Sequence, residues 1–307
     1  MRCLNKARWL TKLEEQFPAE RFRRNEPMSQ HTSFQIGGKA DVLIMPTSKQ
    51  EIIHIIRFCN KHNIPLTVIG KGSNLLVMDA GIEGIVMKIG SCMKALQFSD
   101  EYVYAEAGIS LNCLAKKIQE MSLVGFEFAS GIPGTLGGAL TMNAGAYGGE
   151  MKNILSECTT VSLEGKINTI DHPDMKMGYR SSRIQATGEI IVEAVLKLQR
   201  GDREEIKNIT NDYWKRRLTK QPYDLPSAGS VFKRPEGFFA GKLIEDCGLK
   251  GCTVGRAKVS ELHAGFIVNM GGATASDVLT LMEMIKNKVR EKYEVELESE
   301  LRVIGRS

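Results

Sequence analysis

Ser230 stands between a glycine and a β-branched valine in SAGSVFKRPEG, residues 227–237. A serine set off by glycine is open to close approach by backbone or ligand. It could serve as a nucleophile, or it could simply turn the chain. A strand-to-helix nucleophile elbow reads G-x-S-x-G, and here Ala228 and Phe232 occupy the two glycine positions, which argues against attack by the hydroxyl. Two other stretches point to an anionic ligand. VIGKGSNLLV (68–77) reads as strand, glycine loop, strand. Successive backbone N–H groups in such a loop form a concave anion site. Gly70 and Gly72 carry no Cβ to block it, and Ser73 and Asn74 add side-chain donors. The second stretch, GIPGTLGGALTMNAGAYGGE (131–150), is rich in glycine and alanine and lets backbone pack against a flat, phosphate-bearing ligand. The first is not a dinucleotide fingerprint of the G-x-G-x-x-G kind, since the third glycine would fall at Leu75. No G-x-x-x-x-G-K-[ST] occurs. Two such loops in one chain suit a dinucleotide-sized ligand.

The elements that must position them follow from periodicity. ADVLIMP (40–46) predicts a strand and SKQEIIHIIRFCNKHNIP a helix, with Ser48 and Glu51 at capping-box spacing and Ile52, Ile55, Ile56 and Cys59 on one stripe. Pro65 ends it and LTVIG (66–70) predicts a buried strand, completing a β-α-β unit. Further strands are expected at LLVMD, GIVMKIG and YVYAEAG (102–108). A helix over 110–125 places Leu111, Leu114, Ile118 and Met121 on one face. Strands near 158–171 and 189–199, a helix from 202 to 218 capped by Asp202, a helix over 240–249, a strand in AGFIVNMGG and a helix from Ser276 complete the pattern. The C-terminal VELESELRVIG predicts a strand with Val295, Leu297, Leu301 and Val303 on one face.

The chain has 307 residues, 42% apolar and 25% charged, enough for two or three domains. No apolar run is long enough to span a membrane. The charged N-terminus lacks the apolar core of a signal peptide, so a cytoplasmic protein is expected. Seven cysteines form no C-x-x-C pair, and reduced, mostly buried thiols are expected. With five histidines and no H-E-x-x-H, no metal site is expected. The net charge of +5 is mild: it favours a small anionic ligand. There is no basic, aromatic-interleaved stripe of the kind that binds nucleic acid. Nothing in the sequence fixes the oligomeric state, and a monomer is the default expectation.

Taken together, HTSFQIGGKAD (31–41), the two glycine loops, YRSS (179–182), SAGSVFKRP, GKLIEDCGLKG, VSELHAGFIVN (259–269) and LESELRVIG (297–305) resemble the UDP-N-acetylenolpyruvoylglucosamine reductases, in family order and across almost the whole chain. The length and motif spacing are similar to the shorter form of that family, type II. The resemblance implies an α+β FAD-binding fold of the vanillyl-alcohol-oxidase type plus a C-terminal α+β substrate domain. The division expected is 1–90 and 91–213 for two FAD-binding subdomains and 214–307 for the substrate domain, whose last strand could pack back on an earlier one. It also implies FAD held by Gly70, Lys71, Gly72, Ser73 and Asn74 in the first loop. In the second, Gly131, Pro133, Gly134, Gly137, Gly138, Asn143, Ala144 and Gly145 are implied. No histidine occupies GKGSN, where some relatives link the flavin covalently, so FAD is expected to be non-covalent, with NADPH as reductant.

Three residues match the family's catalytic set. Arg180 matches the arginine that stabilises the enolate carboxylate, and a planar fork of donors suits a carboxylate. Glu300 matches the glutamate that polarises and holds that group, and Ser230 the proton donor to carbon. Glu300, rather than Glu296 or Glu298, fits the E-x-R-x-I-G frame. Tyr179 and Lys233 are expected at the substrate UDP-N-acetylglucosamine enolpyruvate, with Arg234, Lys242, Asn269 and Tyr147 as weaker candidates, the last two of which could instead only support the fold. An oxidase of small hydroxy acids or a nucleotide-binding regulator would share the loops without needing Arg180, Ser230 and Glu300 together.

Overall fold

A computed structural model describes residues 9–306. The chain folds as two compact units. The first takes residues up to Glu26, then Ala40–Lys71 and Gly84–Tyr213. The second takes Pro27–Lys39, Gly72–Glu83 and everything from Trp214 on.

Two sheets build most of the first unit. One runs in the order Phe22–Pro27, Lys39–Ile44, Ile82–Lys88, Leu66–Ile69. The helix Lys49–His62 crosses between Lys39–Ile44 and Leu66–Ile69 and buries Ile52, Ile55, Ile56 and Cys59, the expected stripe. Ser48 caps it by accepting from the Glu51 N–H. The other half of the expected capping box is missing, because the Glu51 carboxylate accepts instead from Arg21 and from the Thr47 N–H. The β-α-β unit carries an inserted strand: Ile82–Lys88 lies between its two strands and pairs in parallel with Leu66–Ile69. The second sheet is antiparallel throughout, in the order Ile167–Asp171, Leu155–Val161, Ile190–Lys197, Tyr102–Glu106, Leu96–Ser99.

In the second unit, Ser227–Ser230, Phe266–Asn269, Ala257–Val259 and Thr253–Val254 form an antiparallel sheet in that order. The helix Ala275–Tyr293 buries Val278, Leu281, Met282, Ile285 and Val289. A full capping box of Thr274 and Asp277 closes its N-terminus, and the Asp79 carboxylate accepts from the Ala275 and Ser276 N–H groups. The last strand, Arg302–Ile304, pairs in parallel with Leu75–Val77.

Two elements depart furthest from what the sequence predicts. The helix expected over 110–125 ends at Glu120, because Ser122 adopts a left-handed φ of 56°. Met121 is then 41% exposed, and Leu123–Val124 becomes a strand against Gln199–Arg200. The C-terminal strand shrinks to Arg302–Ile304. Leu297 and Leu301 are buried as expected, but through an irregular segment, and Val303 is 43% exposed. Alternating apolar residues were the right signal for burial and the wrong one for extended pairing. The cysteines also need correction. Among the described residues all six are free, but only Cys59 and Cys158 are buried, and burial pushes both thiols up to about 12. Cys92 and Cys113 are exposed, and Cys3 lies outside the described residues. No helix among those residues is long and apolar enough to cross a membrane, and no cluster of His, Cys, Asp or Glu could hold a metal.

Candidate active site

The first glycine loop leaves the strand Leu66–Ile69 and enters Leu75–Val77. Among the described residues, none of the backbone N–H groups from Gly70 to Asn74 is taken by another part of the chain. Donors left unused in a glycine loop suit a phosphate. The glycines themselves have another reason than the one their spacing suggests. A Cβ on Gly72, at φ 71°, would collide with the His31 carbonyl oxygen, and a Cβ on Gly70 with the Thr135 hydroxyl. Glycine is needed there for close chain packing. The Gly70 contact also brings the two glycine loops together, within the first unit.

In the second loop Thr135 caps the short helix Leu136–Thr141. Gly131 donates to Asn112 Oδ1 (3.1 Å) and Gly137 to the Ala107 carbonyl (2.9 Å), so those two N–H groups hold the loop to the scaffold. The N–H groups of Gly134 and Thr135 are not used by the chain among the described residues. Within the first unit, the unused N–H groups of Gly70, Lys71, Gly134 and Thr135, with Gly70 packed against Thr135, suit a phosphate of FAD. Asn143 is different from its expected role. It is fully buried in a left-handed conformation (φ 43°), and its amide donates to Glu150 (2.7 Å) and the Gly178 carbonyl (2.9 Å) while accepting from the Lys152 N–H (2.9 Å). With those partners the Asn143 side chain braces the loop instead of facing a cofactor. Gly145 similarly serves a tight ribbon with Glu150, whose Cβ would stand 2.7 Å from a Cβ at 145.

Arg180 sits in a tight turn in the first unit, where Gly178 and Ser181 exchange both backbone bonds (3.1 and 3.2 Å). Its φ is 54°, a conformation that costs a non-glycine residue about 1–3 kcal/mol and clusters at functional sites. The guanidinium lies 5.0 Å from the Tyr179 ring centre and reaches the Gly145 carbonyl at 3.5 Å. Tyr179 is exposed. Tyr147 stacks on Tyr213 at 4.3 Å and donates to its carbonyl, so it is held within the scaffold.

Ser230 and Glu300 meet in the second unit. Ser230 ends a sheet strand opposite Phe266, after Gly229 at φ 80°. The Glu300 N–H donates to the carbonyl of Val231, the next residue (2.8 Å), and Asn74 donates its side-chain amide to the Glu300 carbonyl (3.0 Å). Residues far apart in sequence are thus fastened side by side through backbone, and Asn74 joins the flavin loop's own sequence to that fastening.

Comparison with known proteins bears on this arrangement. Residues 40–171 match a FAD binding domain, and residues 221–304 match the C-terminal domain of UDP-N-acetylenolpyruvoylglucosamine reductase. The protein of that name from Alkaliphilus oremlandii is 51% identical, over 95% of this chain and 96% of its own. The one from Clostridioides difficile is 46% identical, over 93% and 94%. The chain belongs to the UDP-N-acetylenolpyruvoylglucosamine reductase family. The crystal structure of that reductase from Thermus caldophilus superimposes with a TM-score of 0.77 at 33% identity, over 90% of this chain and 97% of that one. The α+β FAD-binding fold, the flavin and the oxidoreductase class expected from the motifs therefore hold.

Within this reductase scaffold two expected substrate contacts look different. Lys233 is ion-paired with Glu298 at 3.0 Å and partly exposed, free to exchange that surface partner for an anion. Asn269 is buried at 3% exposure and spends its amide on the Phe34 and Gln35 carbonyls (3.0 and 3.4 Å) and on the Gly271 and Ala273 N–H groups (2.9 and 3.0 Å). It ties the second unit together and is not available to substrate. Asn269→Ala should therefore destabilise the fold by about 2–3 kcal/mol, through orphaned buried partners. Thermal unfolding checks this, and KM for the UDP-sugar should stay unchanged in the folded protein. Sequence reasoning also passed over His263. It is half-buried, desolvation lowers its pKa, and its Nδ1 accepts from the Gly265 N–H (3.0 Å), which puts the proton of the neutral ring on Nε2. A lone histidine carries no spacing signal that could have flagged it.

Proposed function

We propose that the protein reduces the enolpyruvyl double bond of UDP-N-acetylglucosamine enolpyruvate to UDP-N-acetylmuramate, at the expense of NADPH, in peptidoglycan precursor synthesis. FAD, held by the two glycine loops, would supply the hydride relay between NADPH and the enolpyruvyl methylene carbon. The chain's residues manage the charge and the proton. As hydride reaches the methylene carbon, negative charge develops on the neighbouring carbon and its carboxylate, and stabilising that charge is the largest single demand on the protein. Arg180 binds the carboxylate through its guanidinium fork. Glu300 holds and polarises the same group. The Ser230 hydroxyl then donates its proton to the carbon bearing the charge, so that hydride and proton together saturate the double bond. Lys233 meets the diphosphate, and Tyr179 lines the substrate beside Arg180.

The observation that carries this reading is the backbone bond between Glu300 and Val231. It supports the reading because it holds the backbone of Glu300 beside the residue that follows Ser230, 70 positions away in sequence and in the same unit. A hydroxy-acid oxidase or a nucleotide-binding regulator would need neither Glu300 nor Ser230. The test is anaerobic: the purified flavoprotein is reduced with NADPH, and the UDP-linked enolpyruvyl sugar is then added. Stoichiometric return of oxidised flavin is expected. Reduction without return would reject the substrate, and a flavin that neither reduces nor reoxidises would reject the enzyme reading.

A further inference from the structure

Gln185 grips the backbone of Arg180. Its amide nitrogen donates to the Arg180 carbonyl (3.0 Å) and the Thr141 carbonyl (2.9 Å), with the Met142 sulfur a more distant third acceptor (3.6 Å). Thr141 is the last residue of the short helix that the second glycine loop leads into. The Ser182 hydroxyl donates to the same Thr141 carbonyl (2.7 Å), and Asn143 donates to Gly178 (2.9 Å). Side chains on both segments thus bolt the end of that helix to the turn that carries Arg180.

The turn needs bolting. A left-handed non-glycine residue costs about 1–3 kcal/mol, and one hydrogen bond returns only about 0.5–1.5 kcal/mol net. The reciprocal Gly178–Ser181 bonds close the turn around Arg180, but they leave its own carbonyl to be held by something else. Gln185 holds it. The direction in which a side chain leaves the backbone is set by φ and ψ, so the aim of the Arg180 guanidinium depends on that grip.

We propose that Gln185 is a positioning residue of the reductase: it keeps Arg180 in its left-handed conformation and so points the guanidinium at the substrate carboxylate. The proposal rests on the reading of Arg180 given above. Gln185 is itself exposed, so replacing it leaves no buried group unpaired and no cavity.

The test uses the flavin-loaded enzyme and a double-mutant cycle. Gln185→Ala should slow reoxidation of the reduced enzyme by the enolpyruvyl sugar about tenfold, the worth of roughly one hydrogen bond. Binding of that sugar to the oxidised enzyme, read from the flavin absorbance change, should weaken. Flavin content and reduction by NADPH should not change, and the melting temperature should fall only slightly, as for the loss of an exposed hydrogen bond. Gln185→Glu should be at least as slow, because a carboxylate cannot donate to two facing carbonyls. In an Arg180→Ala background, Gln185→Ala should slow reoxidation and weaken binding no further. Equal slowing in both backgrounds would overturn the proposal, since Gln185 would then act elsewhere. So would wild-type rates in both Gln185 variants alongside a slow Arg180→Ala, which would leave the Arg180 reading intact. An Arg180→Ala enzyme with wild-type reoxidation would overturn the two together.

Discussion

Ser230→Ala should leave flavin reduction by NADPH at its wild-type rate and slow transfer to the enolpyruvyl group by about 10²–10⁴-fold, the usual worth of a placed proton donor. The structure makes this a clean substitution. Ser230 ends a strand in register with Phe266, and a smaller side chain keeps that pairing, which runs through backbone. The Ser230 hydroxyl makes no hydrogen bond within the chain among the described residues, so alanine orphans no partner. Neither stability nor flavin content should fall, and a slow second half-reaction can then be assigned to the lost proton. Rapid-mixing absorbance at the flavin band separates the two halves. If both run at wild-type rates, Ser230 is not the proton donor. If both slow together, the serine acts on the flavin site rather than on the substrate carbon.

How much of this was legible beforehand differs by type of interaction. The helix Lys49–His62 was readable because its burial stripe repeats at 3.6 residues and its cap is a local side-chain bond. The helix Ala275–Tyr293 begins one residue before its predicted start, for the same reason. Misreadings arose where burial comes from distant chain. Leu297 and Leu301 are buried without a strand, and Ile82–Lys88 inserts between the two strands of the β-α-β unit. Gly72 and Gly70 have a packing reason that their spacing does not reveal. That reason is the His31 carbonyl in one case and the Thr135 hydroxyl in the other, neither of which is close in sequence. Asn143, expected at the cofactor, is a buried brace, and Asn269 takes the fold-supporting of its two expected roles. A motif asparagine looks the same in sequence whether its amide faces a ligand or its own fold. Gln185 went unnoticed because a glutamine that bonds a carbonyl five residues back leaves no trace in composition or periodicity.

The corrected account of Gly72 changes what its replacement means. Gly72→Val should yield a protein that purifies without yellow colour and does not regain it when FAD is added. Two costs combine. A β-branched residue at φ 71° is strained whatever the space, by about 1–3 kcal/mol. The added Cβ also strikes the His31 backbone carbonyl and comes to 3.1 Å from the Thr32 Cα. Backbone cannot swing aside as a side-chain end can, so the loop itself must move. The unused N–H groups of Gly72, Ser73 and Asn74 would move with it. Gly237→Ala separates the two costs, since that glycine has a similar φ of 73° and open space around its missing Cβ. It should bear the strain and keep a full complement of flavin. Flavin absorbance per polypeptide measures the outcome, with far-ultraviolet circular dichroism to show that Gly72→Val is folded. A folded Gly72→Val protein with full flavin would mean that this loop does not hold the cofactor. Loss of colour in both variants would mean that backbone strain in the second unit, not the shape of the loop, governs flavin retention.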